Sequence, residues 1–256
     1  MAVGSAAHVD NDDTEIVLVQ TVPASDAARL SSLVLGSLRL VLIDFAAPHV
    51  AFVSPVPASV LVSFAADNRK PPPVLDGLAM APGEIAIHGV GEAFHVRSDG
   101  SCKIGLIAIG PRDFARYARA LLGKEVEPTP SARVLRLPSP ALRDIRRLHA
   151  QALRLNVTKP ALLARREVAR ALEQDLIHAL LDGVGAAEPR RSPQPNPRHA
   201  EIVARFQEML AAPGRLPSLA ELCAALDVPE RLLRHCCRAF LGCSPLAYAR
   251  LRRASG

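Results

Sequence analysis

One stretch divides this chain before anything else can be read from it. VGAAEPRRSPQPNPR, residues 184–198, carries four prolines together with Gly, Ser and Asn. Such a composition buries no core and favours extended chain. The sequence is therefore read as two folding units, a larger one before a Pro-rich linker at 184–198 and a smaller one after it. With 256 residues, of which 49% are hydrophobic, both units can bury a core, so the chain is expected to be folded.

The larger unit changes texture along its length. Residues 14–110 read as β structure: EIVLVQ, SLRLVLIDF, VLVSF, EIAIH and KIGLIAI are short apolar runs punctuated by Pro, Gly, Asn and Asp. Two turns are marked, at Ala81-Pro82-Gly83 and at Ser98-Asp99-Gly100-Ser101. The second, flanked by AFHVR and KIGLIAI, predicts a hairpin. Several short strands at this spacing imply a small sandwich or barrel. Residues 111–183 switch to helical periodicity. Ser139-Pro140 reads as an N-cap followed by Pro at the first helical position. Leu142, Ile145, Leu148, Ala152 and Leu155 then share one face. A second helix follows Pro160, with Leu163, Val168, Leu172, Leu176, Ile177 and Leu180 inward and Gly183 as its stop. From Ala141 to Leu172 there are eight Arg or Lys and two acids, read as a solvated basic face.

Charge and cysteine content narrow the setting. The net charge is +6, and only four of the 31 basic residues are lysines. Arginine suits bidentate contacts to anions. The first 28 residues hold no Lys or Arg but do hold Asp10, Asp12, Asp13, Glu15 and Asp26, so no secretory leader is expected and residues 1–13 read as a disordered acidic tail. The uncharged run from Phe45 to Ala66 is broken by Pro48, Pro55 and Pro57, and reads as two buried strands rather than a membrane span. Five cysteines, an odd number, fit reduced thiols in a cytoplasmic protein.

After the linker the pattern is three short helices. In HAEIVARFQEML, Ile202, Val203, Phe206 and Leu210 form one stripe. Ser218 and Glu221 make a capping box for LAELCAAL, which halts at Asp227-Val228. A third helix runs from Pro229 to about Leu241 and stops at Gly242. A short helix, a tight turn and a longer helix is the helix-turn-helix arrangement. Leu232, Leu233, Cys236, Cys237 and Phe240 gather on one side of the third helix. Arg231, Arg234, His235 and Arg238 gather on the other, a face suited to the major groove, where Arg pairs with guanine. Arg238 equally suits a phosphate.

SLAELCAALDVPERLLRHCCRAFLGCSPLAYARLRR resembles the first helix-turn-helix of AraC/XylS-type transcriptional regulators. The likeness lies in Cys223 at the small-residue position, Leu233, and the run Phe240-Leu241-Gly242-Cys243-Ser244-Pro245 with Tyr248 and Arg252 after it. It implies a partial DNA-binding domain over 199–256, with base-reading roles on Arg231, Arg234 and His235 and with Arg238 nearby. It further implies that 14–110 is a cupin-like ligand-sensing β domain, for which Pro82-Gly83 before Ile85 and Ile87 is similar to a cupin strand start, and that 111–183 is a helical dimerisation segment. The implied fold class is α+β. Partners would be double-stranded promoter or operator DNA, an unknown small-molecule effector and a second copy of the chain, with no membrane. Family members carry two such units joined by a long helix, so the sequence is expected to lack the second, to bind its operator weakly, and to have lost a cap at Pro229 and core volume at Cys236 and Cys237.

Other chemistry finds little support. His88, Glu92, His95 and His49 do not form the double-histidine strand motif of metal cupins, so neither a catalytic metal nor a cofactor is expected. No nucleophile elbow, P-loop or dinucleotide fingerprint occurs, and the chain is not expected to be an enzyme. In RHCCRAFLGC the adjacent cysteines point about 100° apart on a helix and cannot readily clasp one ion. They read as small buried hydrophobes. An alternative to the DNA reader is a truncated regulator without DNA function, acting as a ligand-binding or heterodimerising module.

Overall fold

In a computed structural model, residues 6–11, 14–20, 28–55, 59–123, 132–190, 196–211 and 214–254 are described. The fold is α+β, with two antiparallel sheets, a helical layer and a C-terminal helical cluster. The strands are β1 (Ala6–Asn11), β2 (Thr14–Gln20), β3 (Arg29–Leu35), β4 (Leu38–Phe45), β5 (His49–Pro55), β6 (Val60–Ala65), β7 (Val74–Leu75), β8 (Leu78–Ala79), β9 (Glu84–His88), β10 (Phe94–Ser98) and β11 (Cys102–Ile109). Helix α1 (Pro111–Leu122), strand β12 (Arg133–Arg136), helices α2 (Ser139–Thr158), α3 (Pro160–Leu163) and α4 (Arg166–Gly185), and strand β13 (Glu188–Pro189) follow. The C-terminal helices are α5 (Pro197–Ala211), α6 (Leu219–Leu226), α7 (Glu230–Leu241) and α8 (Pro245–Ala254).

One sheet runs β1-β2-β5-β10-β7-β8 and the other β13-β12-β9-β6-β11-β4-β3. Alternation along the strands of the second sheet explains its two covers. Val41, Ile43, Phe45, Leu61, Ala86, Ile104 and Leu106 point into the sandwich, where Leu75, Phe94 and Val96 of the first sheet meet them. Their neighbours Leu40, Val62, Phe64, Ile85 and Ile107 point the other way, onto Ile145, Leu148, Leu176, Ile177 and Leu180 of α2 and α4.

Several expectations are corrected. Residues 6–11, read as part of a disordered tail, form β1 and pair with β2, with Asn11 opposite Thr14. The run AAHVDN is uncharged until Asp10, and pairing satisfies its backbone groups. The helical zone 111–183 contains a strand, β12, because VLR pairs with the open edge of β9. Pro138, not Ser139, holds the N-cap position of α2, and no side chain caps it. The second helix is interrupted between Leu163 and Arg166. Gly183 does not stop α4, which continues to Gly185. A Cβ on Gly183 would stand 2.9 Å from Leu137 Cδ2, so this glycine serves a close approach rather than a cap. The linker is shorter than 184–198, since Glu188–Pro189 forms β13 against β12; residues 191–195 lie outside the described residues. Pro57, in the turn expected between the two strands of Phe45–Ala66, lies outside them too, although both strands form, as β5 and β6.

Asp99-Gly100 does not make a hairpin. β10 and β11, on either side of it, belong to different sheets. The hairpin is made by another Asp-Gly pair, Asp76-Gly77, between β7 and β8. Asp76 and Gly77 have φ of 45° and 78°, as a two-residue hairpin turn of this hand requires. Gly100 is not among the positive-φ glycines, so the left-handed pair that such a hairpin turn needs is not formed there.

Candidate nucleic-acid interface

The C-terminal helices pack around Ile202, Val203, Phe206, Leu222, Leu226, Leu233, Cys236, Cys237, Phe240, Leu241 and Tyr248. The local chemistry fits each junction. Ser218 Oγ accepts from Glu221 N, and Glu221 Oε2 accepts from Ser218 N, so the capping box before α6 is complete. Arg215, bonded to the same carboxylate, is the largest cause holding Glu221 down to about 2, with Ser218 adding to it. Asp227 makes the turn with φ 53°. Pro229 stands at the N-cap of α7 with no side-chain cap bond, and Gly242 ends that helix in the left-handed region. Ser244 Oγ accepts from Ala247 N at the start of α8.

The two faces of α7 are sharply divided. Leu233, Cys236, Cys237, Phe240 and Leu241 are buried. Arg231, His235 and Arg238 are exposed and Arg234 is half-buried, on the opposite side. Arg234 Nε donates to Glu230 Oε1 at 2.6 Å, one helical turn back. His235 lies edge-on to His199 of α5, with ring centroids 5.5 Å apart. Burial, then the neighbouring His235 and Arg198, push the His199 imidazole below its ordinary value. Neither Arg231 nor Arg238 has an ion pair among the described residues. Cys236 and Cys237 sit on the apolar side of α7, and all five cysteines of the chain are free thiols. Burial raises the Cys236 thiol, raises Cys237 far above its usual range and lifts Cys243 to about 11. These groups stay protonated, which suits packing and not nucleophilic or metal chemistry.

The back of this cluster meets the first sheet. The Asp76-Gly77 turn presses on α7, and a Cβ on Gly77 would lie 3.0 Å from Phe240 Cε2. Val50 of β5 joins the helical core. His95 Nε2 lies 2.6 Å from Gln207 Oε1, so the ring donates, and Gln207 Nε2 donates to Tyr248 Oη at 2.7 Å. Arg252 Nη1 donates to the Gln207 carbonyl at 3.1 Å. Tyr248 and Arg252, two residues that carry the family resemblance, are thus engaged on the side away from the α7 arginines. A cleft of about 190 Å³ opens beside them, lined by Phe52, Gln207, Tyr248 and Arg252.

His88, Glu92 and His49 take separate partners. His88 Nε2 bonds Ser63 Oγ at 2.8 Å and its ring stacks on Phe94 at 3.7 Å. Glu92 Oε2 accepts from Gly89 N. His49 Nδ1 donates to Ala47 O at 2.7 Å. Among the described residues no group of three or more His, Cys, Asp or Glu is arranged to hold a metal, and no helix is long and apolar enough to cross a membrane.

Sequence reasoning missed Glu230, His199 and the His95–Gln207 contact. Glu230 was legible as an acid four residues before an arginine on a helix. Gln207 had one signal, a polar residue next to Phe206 on the buried stripe of α5.

Comparison with known proteins gives likeness of shape. The chain is similar to the AraC-like transcriptional activator CuxR, with 17% identity, a TM-score of 0.44, and coverage of 93% of this chain and 84% of that one. It is also similar to an apo ToxT variant from Vibrio cholerae, with 9% identity, a TM-score of 0.40, and coverage of 84% and 79%. Likenesses of that depth assign no residue roles and no activity. Neither a scan of protein-family profiles nor a search of curated proteins finds a match.

Proposed function

We propose that this chain is a DNA-binding transcriptional regulator of the AraC/XylS type, with α7 as its recognition helix. The observation that carries the reading is the division of α7. Its apolar side is spent on the helical core, while Arg231, Arg234, His235 and Arg238 share the open side of the second helix in a helix-turn-helix whose first helix is capped. Three guanidiniums and an imidazole on one rigid face suit guanine edges and phosphates in a major groove. The sequence resemblance over 200–253 supports the same reading.

The N-terminal sandwich is the proposed sensor for a small effector. His88 Nδ1 supports this: it is fully buried between the sheets and has no partner among the described residues, a polar atom left for a guest to bond. Dimerisation through residues 139–183 remains part of the proposal. The apolar stripe of α2 is already covered by the chain's own sheet, so pairing would use the outer faces of α2 and α4.

The test is selection of duplexes from a random library by the full chain, at stated salt. One enriched sequence is expected, with binding that falls steeply as salt rises. Replacing Arg231, Arg234, His235 and Arg238 together by alanine should abolish enrichment. Enrichment that survives that change would overturn the reading.

A further inference from the structure

The four polar residues of α7 are not equivalent. Arg231 and Arg238 are exposed and without an ion pair among the described residues, so no acidic partner there holds their guanidiniums in one direction. His235 leans on His199. Arg234 alone of the three arginines has a side-chain acceptor among the described residues: its Nε donates to Glu230 Oε1 at 2.6 Å. That bond consumes the side edge of the guanidinium. It leaves Nη1 and Nη2, the end of the fork, with no partner among the described residues. An end-on fork is the geometry that bonds guanine O6 and N7 together. Holding it in advance lowers the ordering cost of binding.

The location agrees. Glu230 is the first residue of α7, at the end that a recognition helix directs into the groove. Burial raises the Cys223 thiol of α6, and after it Glu230 raises and Arg234 lowers it, so both charges act across to the preceding helix. Glu230 is itself the wrong sign for a phosphate contact. A carboxylate at the tip of a DNA-binding helix weakens non-specific attraction, which calls for a compensating role.

We propose that Glu230 is a positioning residue that presets Arg234 to read one guanine, and that Arg234 is the principal base reader while Arg231 and Arg238 serve phosphates. This rests on the DNA-binding reading above. The bland account is an acid in a first turn that favours the helix dipole. It predicts a small stability change and no change in base preference.

The experiment is duplex selection with the full chain, wild type and variants in parallel, followed by titration of the selected site and its single-base variants. Glu230→Ala is expected to lower the preference for guanine at one position about tenfold, with other positions unchanged and affinity for random DNA raised. Arg234→Ala should erase preference at that same position, and the double variant should be no worse than Arg234→Ala. Glu230→Gln, which keeps an acceptor for Nε, should retain most of the preference. Thermal unfolding of each variant reports separately on the helix. If Glu230→Ala tightens binding equally at every sequence, the inference is overturned. It is equally overturned if the position lost in Glu230→Ala is one that Arg234→Ala leaves intact, because Glu230 would then read a base itself. If the wild-type chain enriches no sequence, the DNA-binding reading falls and takes this inference with it.

Discussion

The β-sandwich is covered on its two outer faces by different kinds of contact. The sheet containing β4, β6, β9 and β11 meets α1, α2 and α4 through a broad apolar layer that includes Ile145 and Leu176 and is pierced by the His149 ring. The sheet containing β5 and β10 meets the C-terminal helices through a thin apolar contact, Val50 and the Gly77–Phe240 touch, and a polar chain from His95 through Gln207 to Tyr248. Apolar layers of the first kind resemble a domain interior. Contacts of the second kind resemble an interface between domains that can part. The difference teaches where the fold has room for motion: at the back of α7 and not under α2.

The largest effect should come from breaking the first face. Ile145 is fully buried. Ile145→Ala should cost about 2–5 kcal/mol in chemical denaturation, as removal of a large aliphatic group from a tight core does. Acid attacks the same face by another route. His149 reaches from α2 through the layer, and its Nε2 donates to the carbonyls of Val41 and Leu106 at 3.1 and 3.2 Å. Burial holds His149, and His88 inside the sandwich, down to about 4 against an ordinary 6.5. In the unfolded chain both rings take up protons near 6.5, while the native state refuses them until about 4. The stabilisation is therefore complete above pH 6.5 and is lost as pH falls from 6.5 toward 4. The slope is on the order of 1.4 kcal/mol per pH unit for each histidine. Replacing His149 by glutamine should flatten a denaturation-against-pH curve in that window, and an unchanged slope would exclude His149 as its source.

The second face should yield to a smaller push. Gln207→Leu removes the link between His95 and Tyr248, leaving two buried polar groups unsatisfied, at about 1–3 kcal/mol. Hydrogen exchange should accelerate in β10 and α5 while α2 and α4 keep their protection. Equal acceleration everywhere would mean that the two faces open together and that the contrast between them is false.

The contrast was only partly visible in the sequence. The five apolar runs that read as strands are strands; in β4, β6, β9 and β11 burial on both faces of the sheet leaves apolar stretches that stand out from their surroundings. The capping box at Ser218 and Glu221 and the left-handed Asp227 were legible because they depend on neighbours along the chain. What depends on distant partners was not. Asp76-Gly77 and Asp99-Gly100 are the same dipeptide, yet one turns within a sheet and the other passes between sheets, a choice made by which strands receive β10 and β11. Gly183 had the look of a stop until Leu137 was seen against it. Of the candidate site, the division of α7 followed from periodicity alone, whereas the pairing of Arg234 with Glu230 had only the spacing of two residues to announce it.

The smallest expected effects lie in the caps of the helix-turn-helix, where the two helices can be set against each other. Ser218 caps α6 with its side chain, so Ser218→Ala should lose about 1 kcal/mol. Pro229 occupies the same position before α7 with φ −67° and ψ 148°, a conformation a capping serine also adopts. Pro229→Ser would restore the missing bond to the helix, worth about 1 kcal/mol. It would also release the unfolded chain from the proline ring, which returns about 0.4–1 kcal/mol to the unfolded state. The two terms oppose, so the net change in unfolding free energy should fall within about 0.5 kcal/mol of zero. A gain well above that would show that the uncapped start of α7 is strained by more than a lost hydrogen bond. A loss of similar size would show that the rigid φ of Pro229 is what sets the angle at which α7 leaves the turn.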